Sequence, residues 1–194
     1  MLPKLALLFI PVMIVQAVIQ EIIFYNQDGN YFGFHTHIAN AKRFDFGNVT
    51  KVCAKGAWVI YLLPDFEETL FGLAYGTTLR CWNQNISCMS SFRYLGGLDT
   101  DTEGISFYAD RNFEGPELHV DTIAYGGMSS PINSLAITGA SDWTVYAGTN
   151  FNGSAECFRG SKSGIVYMTS LKTSLPQIGS VLKGCSKTTQ ETDD

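Results

Sequence analysis

Tyr108-Ala109-Asp110-Arg111-Asn112-Phe113-Glu114-Gly115 and Tyr146-Ala147-Gly148-Thr149-Asn150-Phe151-Asn152-Gly153 share one pattern: an aromatic, four residues, a second aromatic, any residue, then Gly. Rings at that spacing close over a hairpin, and a residue without a Cβ lets the chain turn beneath them. The runs leading into the two copies recur in the first half of the chain. Ile22-Ile23-Phe24-Tyr25 matches Ile105-Ser106-Phe107-Tyr108, and Trp58-Val59-Ile60-Tyr61 with Phe66 matches Trp143-Thr144-Val145-Tyr146 with Phe151. Within each half the tyrosines repeat again at a shorter interval, which gives four motifs in the order A-B-A-B.

Around these motifs, Gly, Asn, Asp, Ser and Thr separate short stretches rich in β-branched and aromatic residues, and no amphipathic helix period is sustained. Strands are predicted over Glu21 to Tyr25, Gly33 to Ile38, Trp58 to Leu62, Thr78 to Trp82, Gly104 to Tyr108, Glu117 to Val120, Leu135 to Thr138, Trp143 to Ala147 and Ala155 to Phe158. The fold class is all-β. The spacing suits a sandwich or a barrel.

The hairpin pattern resembles the signature of the βγ-crystallin superfamily. That resemblance implies two Greek-key β-sandwich domains built from four motifs, with Tyr25, Tyr31 and Gly33, Tyr61 and Phe66, Tyr108, Phe113 and Gly115, and Tyr146, Phe151 and Gly153 as the structural positions. The last two motifs match cleanly. In the first, five residues separate Tyr25 from Tyr31 before Gly33, and in the second Glu68 stands where Gly belongs. Residues 18–95 form the first expected domain, 96–103 an exposed Gly-rich and acidic linker, and 104–185 the second domain. The 67–77 region is an insertion relative to the later copy, and a surface loop of its own is expected at Leu70 to Tyr75.

Met1 to Ala17 reads as a secretory signal peptide, with one early Lys, an apolar run too short to span a bilayer, and small residues at Val15 and Ala17. Secretion into the extracellular space is expected, and the polar segment 186–194 reads as a disordered tail. The formal net charge is −5 with basic residues scattered singly, which argues against nucleic-acid binding. Five cysteines in an exported chain imply two disulfides and one thiol. Cys157 should pair with Cys185, because both lie in a domain holding no other cysteine. Cys81 and Cys88 flank a turn-like stretch and are expected to pair, leaving Cys53 as the free thiol, available to a disulfide-linked dimer. Asn48, Asn85 and Asn152 open N-glycosylation sequons.

Sites of chemistry are few. His35 and His37 lie on one strand face with His119 as a third imidazole, but Gly33 to His37, Gly115 to His119 and Gly153 to Cys157 share one spacing, which assigns His37 and His119 a recurring structural position rather than a metal. Members of the family bind calcium through paired Asp or Asn followed by hydroxyl residues. The matching stretches Phe46 to Lys51, Ile86 to Ser91, Ser129 to Ser134 and Leu175 to Ser180 carry no acid at their first two positions, so any calcium site would have to be completed by remote acids such as Glu114, Glu117 or Asp142. No catalytic motif is present, and no metal or cofactor is assigned. A non-enzymatic structural or interaction protein is expected, monomeric or disulfide-linked, with an extracellular protein, glycan or membrane surface as partner. Two alternatives compete with it: a host-defence protein binding membranes or glycans through the Leu70 to Tyr75 loop, and a lipocalin-like barrel carrying an apolar ligand.

Overall fold

The computed structural model describes residues 17–73 and 76–185. Residues 1–16, where most of the expected signal peptide falls, residues 186–194 of the expected tail and Ala74-Tyr75 of the expected insertion lie outside the described residues. Four antiparallel sheets form two sandwiches. The first half comprises β1 (Glu21–Asn26), β2 (Tyr31–Phe34), β3 (Val49–Lys55), β4 (Trp58–Leu63), β5 (Glu67–Leu73), β6 (Arg80–Ile86) and β7 (Ser91–Tyr94). The second comprises β8 (Gly104–Tyr108), β9 (Glu117–Val120), β10 (Ala124–Tyr125), β11 (Ser134–Thr138), β12 (Trp143–Tyr146), β13 (Ala155–Phe158), β14 (Val166–Met168) and β15 (Ser180–Lys183).

Strand order shows why two motifs make one domain. The sheets run β2-β1-β3-β6 and β5-β4-β7 in the first half, and β14-β11-β8-β9 and β10-β15-β12-β13 in the second. Each motif lends its third strand to its neighbour's sheet: β6 and β14 go one way, β10 the other, and in the first motif only Ile38 makes that exchange, by a bridge to Phe92. This swap is the Greek key. Two sandwiches with separate cores exclude a single lipocalin-like barrel. One core is aromatic, with Phe24 and Phe92 at 5.0 Å between ring centroids, and the other is mainly aliphatic around Ile105, Leu135 and Val181. Trp58 and Trp143 are wholly buried at equivalent places in the repeat.

The hairpin turns explain which residues the motif requires. Asn112 and Phe113, and Asn150 and Phe151, all take positive φ, and Gly115 (φ 71°) and Gly153 (φ 83°) complete the turn. Asp65 and Phe66 repeat that conformation in the second motif, where Glu68 occupies the glycine position at φ 54°. The degenerate motif thus keeps the turn and accepts a strained residue. The first motif does not. Tyr25 pairs directly with Tyr31 across β1 and β2, and Gly29, not Gly33, holds the left-handed position at φ 81°. Its loop is shorter, organised by Asn26 Oδ1 accepting from the amides of Asp28 and Asn30, so no folded flap forms and Gly33 is an ordinary strand residue.

Three further expectations are corrected. The first-domain disulfide joins Cys53 to Cys81, which face each other in the register of β3 and β6 with Cα atoms 3.9 Å apart, while Cys88 sits beyond the end of β6 as the exposed free thiol. The register opposes two cysteines that the sequence separates widely. Cys157 is joined to Cys185. The 67–77 insertion is not a free loop over its described part, because β5 extends the hairpin with β4 and half-buries Leu70 and Phe71 against the first core. The expected linker is exposed only in part. Gly96, Gly97 and Thr100 are buried while Leu98, Asp101 and Thr102 are exposed, and the segment 18–20 straps its first half. Gln20 donates to the carbonyls of Leu95 and Gly97 at 2.8 and 2.7 Å, and the Val18 amide donates to Asp99 Oδ1 at 3.1 Å.

Candidate functional site

The domains meet sheet against sheet. Val59 and Tyr61 from the outward side of β4, with Ala57 just before it and Leu95, pack on Tyr108, Phe113, Ala136 and Ile165 of the second half. Alternation along β7 places Phe92 in the first core and turns Arg93 the other way, into this boundary. Arg93 is 1% exposed. Its Nε donates to the Tyr61 hydroxyl at 3.1 Å, and its Nη2 donates to the carbonyls of Phe113 and Gly115. The guanidinium also lies 4.3 Å from the ring centroid of Phe66 and 4.7 Å from that of Tyr108. The Tyr61 hydroxyl donates onward to the Phe113 carbonyl at 2.7 Å. A buried cation is therefore held by carbonyls and aromatic faces, with the Glu117 carboxylate of the second half 4.0 Å from its Nη1.

The flaps of the second and third motifs are tied to each other as well. Thr69 donates to Glu114 Oε1 from its amide (2.9 Å) and its hydroxyl (2.7 Å), and the Gly115 amide donates to the Phe66 carbonyl at 3.2 Å. Beside this seam opens a cleft of about 680 Å³ whose lining includes His37, Phe66, Arg93, Tyr94, Glu117 and His119. Burial, reinforced by the Arg93 charge, holds the His37 imidazole down to about 4. Burial raises the Glu117 carboxyl, against the opposing pull of the Ser106 hydroxyl and Arg93. Tyr61 is pushed up to about 12 and Tyr108 well above the ordinary phenol range, in both cases chiefly by burial.

The nearest approach to a catalytic pair is Ser106 Oγ at 2.8 Å from His119 Nδ1. Ser106 is wholly buried, so it offers no nucleophile to a substrate. His35 stands apart from the cleft, half exposed, with Nδ1 2.9 Å from the Gln20 carbonyl oxygen and Nε2 3.7 Å from Glu21. The four stretches matched to calcium loops come together in pairs. Phe46 to Val49 meets Ile86 to Met89 around a hollow whose lining contains one carboxylate, Asp45, and Ser129 to Asn133 meets Pro176 to Gly179 around a hollow lined by none. Glu114 is engaged with Thr69, and Asp142 with Arg159. Asn85 and Asn152 are exposed, whereas Asn48 is half-buried.

No family model and no curated protein matches the chain. Among solved structures, Geodin, a beta-gamma crystallin from Geodia cydonium, is similar over 84% of this chain and 98% of its own, at 17% identity and a TM-score of 0.63. The chain has the βγ-crystallin fold. The solution structure of Protein S complexed with calcium covers the same shares at 15% identity, with a TM-score of 0.34. Arg93 and Glu117 are the residues of this βγ-crystallin-fold protein whose roles the sequence hid. A lone Arg on the outward face of a strand reads as solvated, and only docking of the second domain buries it.

Proposed function

We propose that this chain is a secreted, non-enzymatic structural or interaction protein in which two Greek-key domains behave as one rigid body that does not depend on calcium. The observation that carries this is the seam. Arg93, Tyr61 and Thr69 reach from the first domain onto backbone carbonyls and Glu114 of the second, with a hydrophobic patch beneath them. The two disulfides agree with an oxidising compartment. Among the described residues no helix is long and apolar enough to cross a membrane.

Calcium independence follows from donor chemistry. A site of hydroxyls, amides and carbonyls strips water from the ion for little electrostatic return. A ligand present near or below its Kd stabilises the native state by no more than about 0.4 kcal/mol. The thermal midpoint of the protein should therefore agree within about one degree in EDTA and in ~1 mM calcium. A rise of several degrees with calcium would refute the proposal.

A further inference from the structure

The flap of the fourth motif carries a chemistry that its counterparts lack. After its second aromatic the chain reads Phe151-Asn152-Gly153-Ser154, and all four residues are exposed. The matching steps are Glu67-Glu68 in the second motif and Glu114-Gly115 in the third, both at the seam between the domains. Asparagine differs from glutamate there in two ways. Its side chain is one methylene shorter, so the next backbone nitrogen reaches its Cγ through a five-membered ring, and its amide can leave as ammonia.

The fold sets the two reacting groups side by side. The Gly153 amide donates to Asn152 Oδ1 at 2.8 Å, and among the described residues no backbone carbonyl competes for it. The carbonyl carbon is bonded to that oxygen at about 1.2 Å, so it lies within about 4 Å of the nitrogen, a small side-chain rotation from the near-attack separation of about 3 to 3.5 Å. Gly153, at φ 83°, has no side chain to shield that nitrogen. The turn itself is fixed by the Gly148 amide on the Asn152 carbonyl and the Ala147 amide on the Ser154 carbonyl, both at 2.9 Å.

Other asparagines lack one of these elements. Asn48 and Asn85 precede the branched Val49 and Ile86. After Asn112 and Asn150, the Phe113 and Phe151 amides are held by the hydroxyls of Ser134 and Ser180. Asn133 spends its Nδ2 on the Ala109 carbonyl. Asp28-Gly29 has the right spacing, but the Gly29 amide is bonded to the Asn26 carbonyl at 3.1 Å, and a carboxylate is a poor electrophile.

We propose that Asn152 is a self-modifying site, which deamidates in the folded protein by attack of the Gly153 nitrogen. That nitrogen gives up its proton to water and bonds to Asn152 Cγ, and Nδ2 leaves as ammonia, closing a succinimide. One water then opens the ring at either carbonyl, which yields aspartate or isoaspartate. Each product adds a negative charge to the exposed flap, and isoaspartate also reroutes the main chain through the former side chain. A glycan on Asn152 would occupy the leaving nitrogen, so the reaction belongs to chains in which that sequon is unmodified.

The test ages the folded protein, made without N-glycosylation, at neutral pH beside a synthetic peptide of residues 148–155. Peptide masses map the change from amide to acid, released ammonia counts it, and enzymatic methyl transfer detects isoaspartate. Asn152 in the folded protein is expected to convert at a rate within about tenfold of the peptide, with isoaspartate among the products and with Asn85 and Asn133 unchanged. Asn152→Gln should abolish both ammonia release and methylation, whereas Asn85→Gln should leave them as they were. Conversion more than about tenfold slower than the peptide would show that the flap holds the nitrogen out of reach and would overturn the proposal. Ammonia release that persists in Asn152→Gln would overturn it as well.

Discussion

Replacing Arg93 with Met should uncouple the two domains. The variant keeps an unbranched chain of similar reach but removes the donors to the Tyr61 hydroxyl and to the carbonyls of Phe113 and Gly115. Hydrogen bonds to a charged group contribute about 1.5 to 3 kcal/mol each, and deleting one partner of a buried charged network costs about 3 to 5 kcal/mol. Phe113 keeps its bond from Tyr61, and Met restores packing against Phe66 and Tyr108, but Glu117 loses the guanidinium 4.0 Å from its Oε2, which places the loss at about 3 to 5 kcal/mol. Arg93→Lys should recover only part of it, since one ammonium cannot serve three acceptors in a plane. Guanidinium unfolding read by hydrogen exchange would follow peptides from β4 and β11 separately. The natural protein should lose protection in both together, and Arg93→Met should split them into two transitions. A loss below about 1 kcal/mol with the halves still unfolding together would show that the apolar patch alone joins the domains.

Other outcomes follow from the turns, the cysteines and the linker. Glu68→Gly should stabilise the protein by about 0.5 to 1 kcal/mol in the denaturant midpoint, because Gly relieves the left-handed backbone at that position, whereas Gly115→Ala should destabilise it. A destabilised Glu68→Gly would mean that the side chain itself holds the turn. Iodoacetamide on the native, unreduced protein should modify Cys88 alone among the cysteines, and a peptide joining Cys81 to Cys88 would refute the pairing described above. Brief digestion with a protease of broad specificity should cut the exposed turn around Lys162 and Ser163 before the strapped segment 96–103. Early cleavage near Leu98 would contradict the strap.

Much of the architecture was legible because the repeat is written in large side chains. Trp58 and Trp143, and the pairs Tyr108 with Phe113 and Tyr146 with Phe151, are visible as residue types and return as equivalent positions in space. The disulfide of the first domain was not legible, since the opposition of Cys53 and Cys81 depends on how β6 swaps into the neighbouring sheet. His37 misled for a related reason: the register puts Gly33, not His37, opposite Ile23, at the place where His119 faces Ser106 and Cys157 faces Thr144. Counting from Gly33 assumes that the first hairpin is as long as the others, and its shortened loop moves the true glycine position back to Gly29. The cleft was hidden because it belongs to neither domain alone. Arg93, Glu117 and His37 acquire their surroundings only when two sheets far apart in sequence meet.

The strap over the linker bears on how the protein is made. Its first described bond runs from the Val18 nitrogen to Asp99 Oδ1. A leader removed after Ala17 would turn that amide into an ammonium, and the hydrogen bond into an ion pair at the hinge between the two halves. Maturation would then finish the junction rather than merely release the chain. A vector residue left ahead of Val18, or cleavage displaced by one position, would put a neutral amide or a misplaced charge against Asp99. Tagged and authentic proteins would then differ at the domain boundary, because Val18 meets Asp99 across a sequence separation of 81 residues.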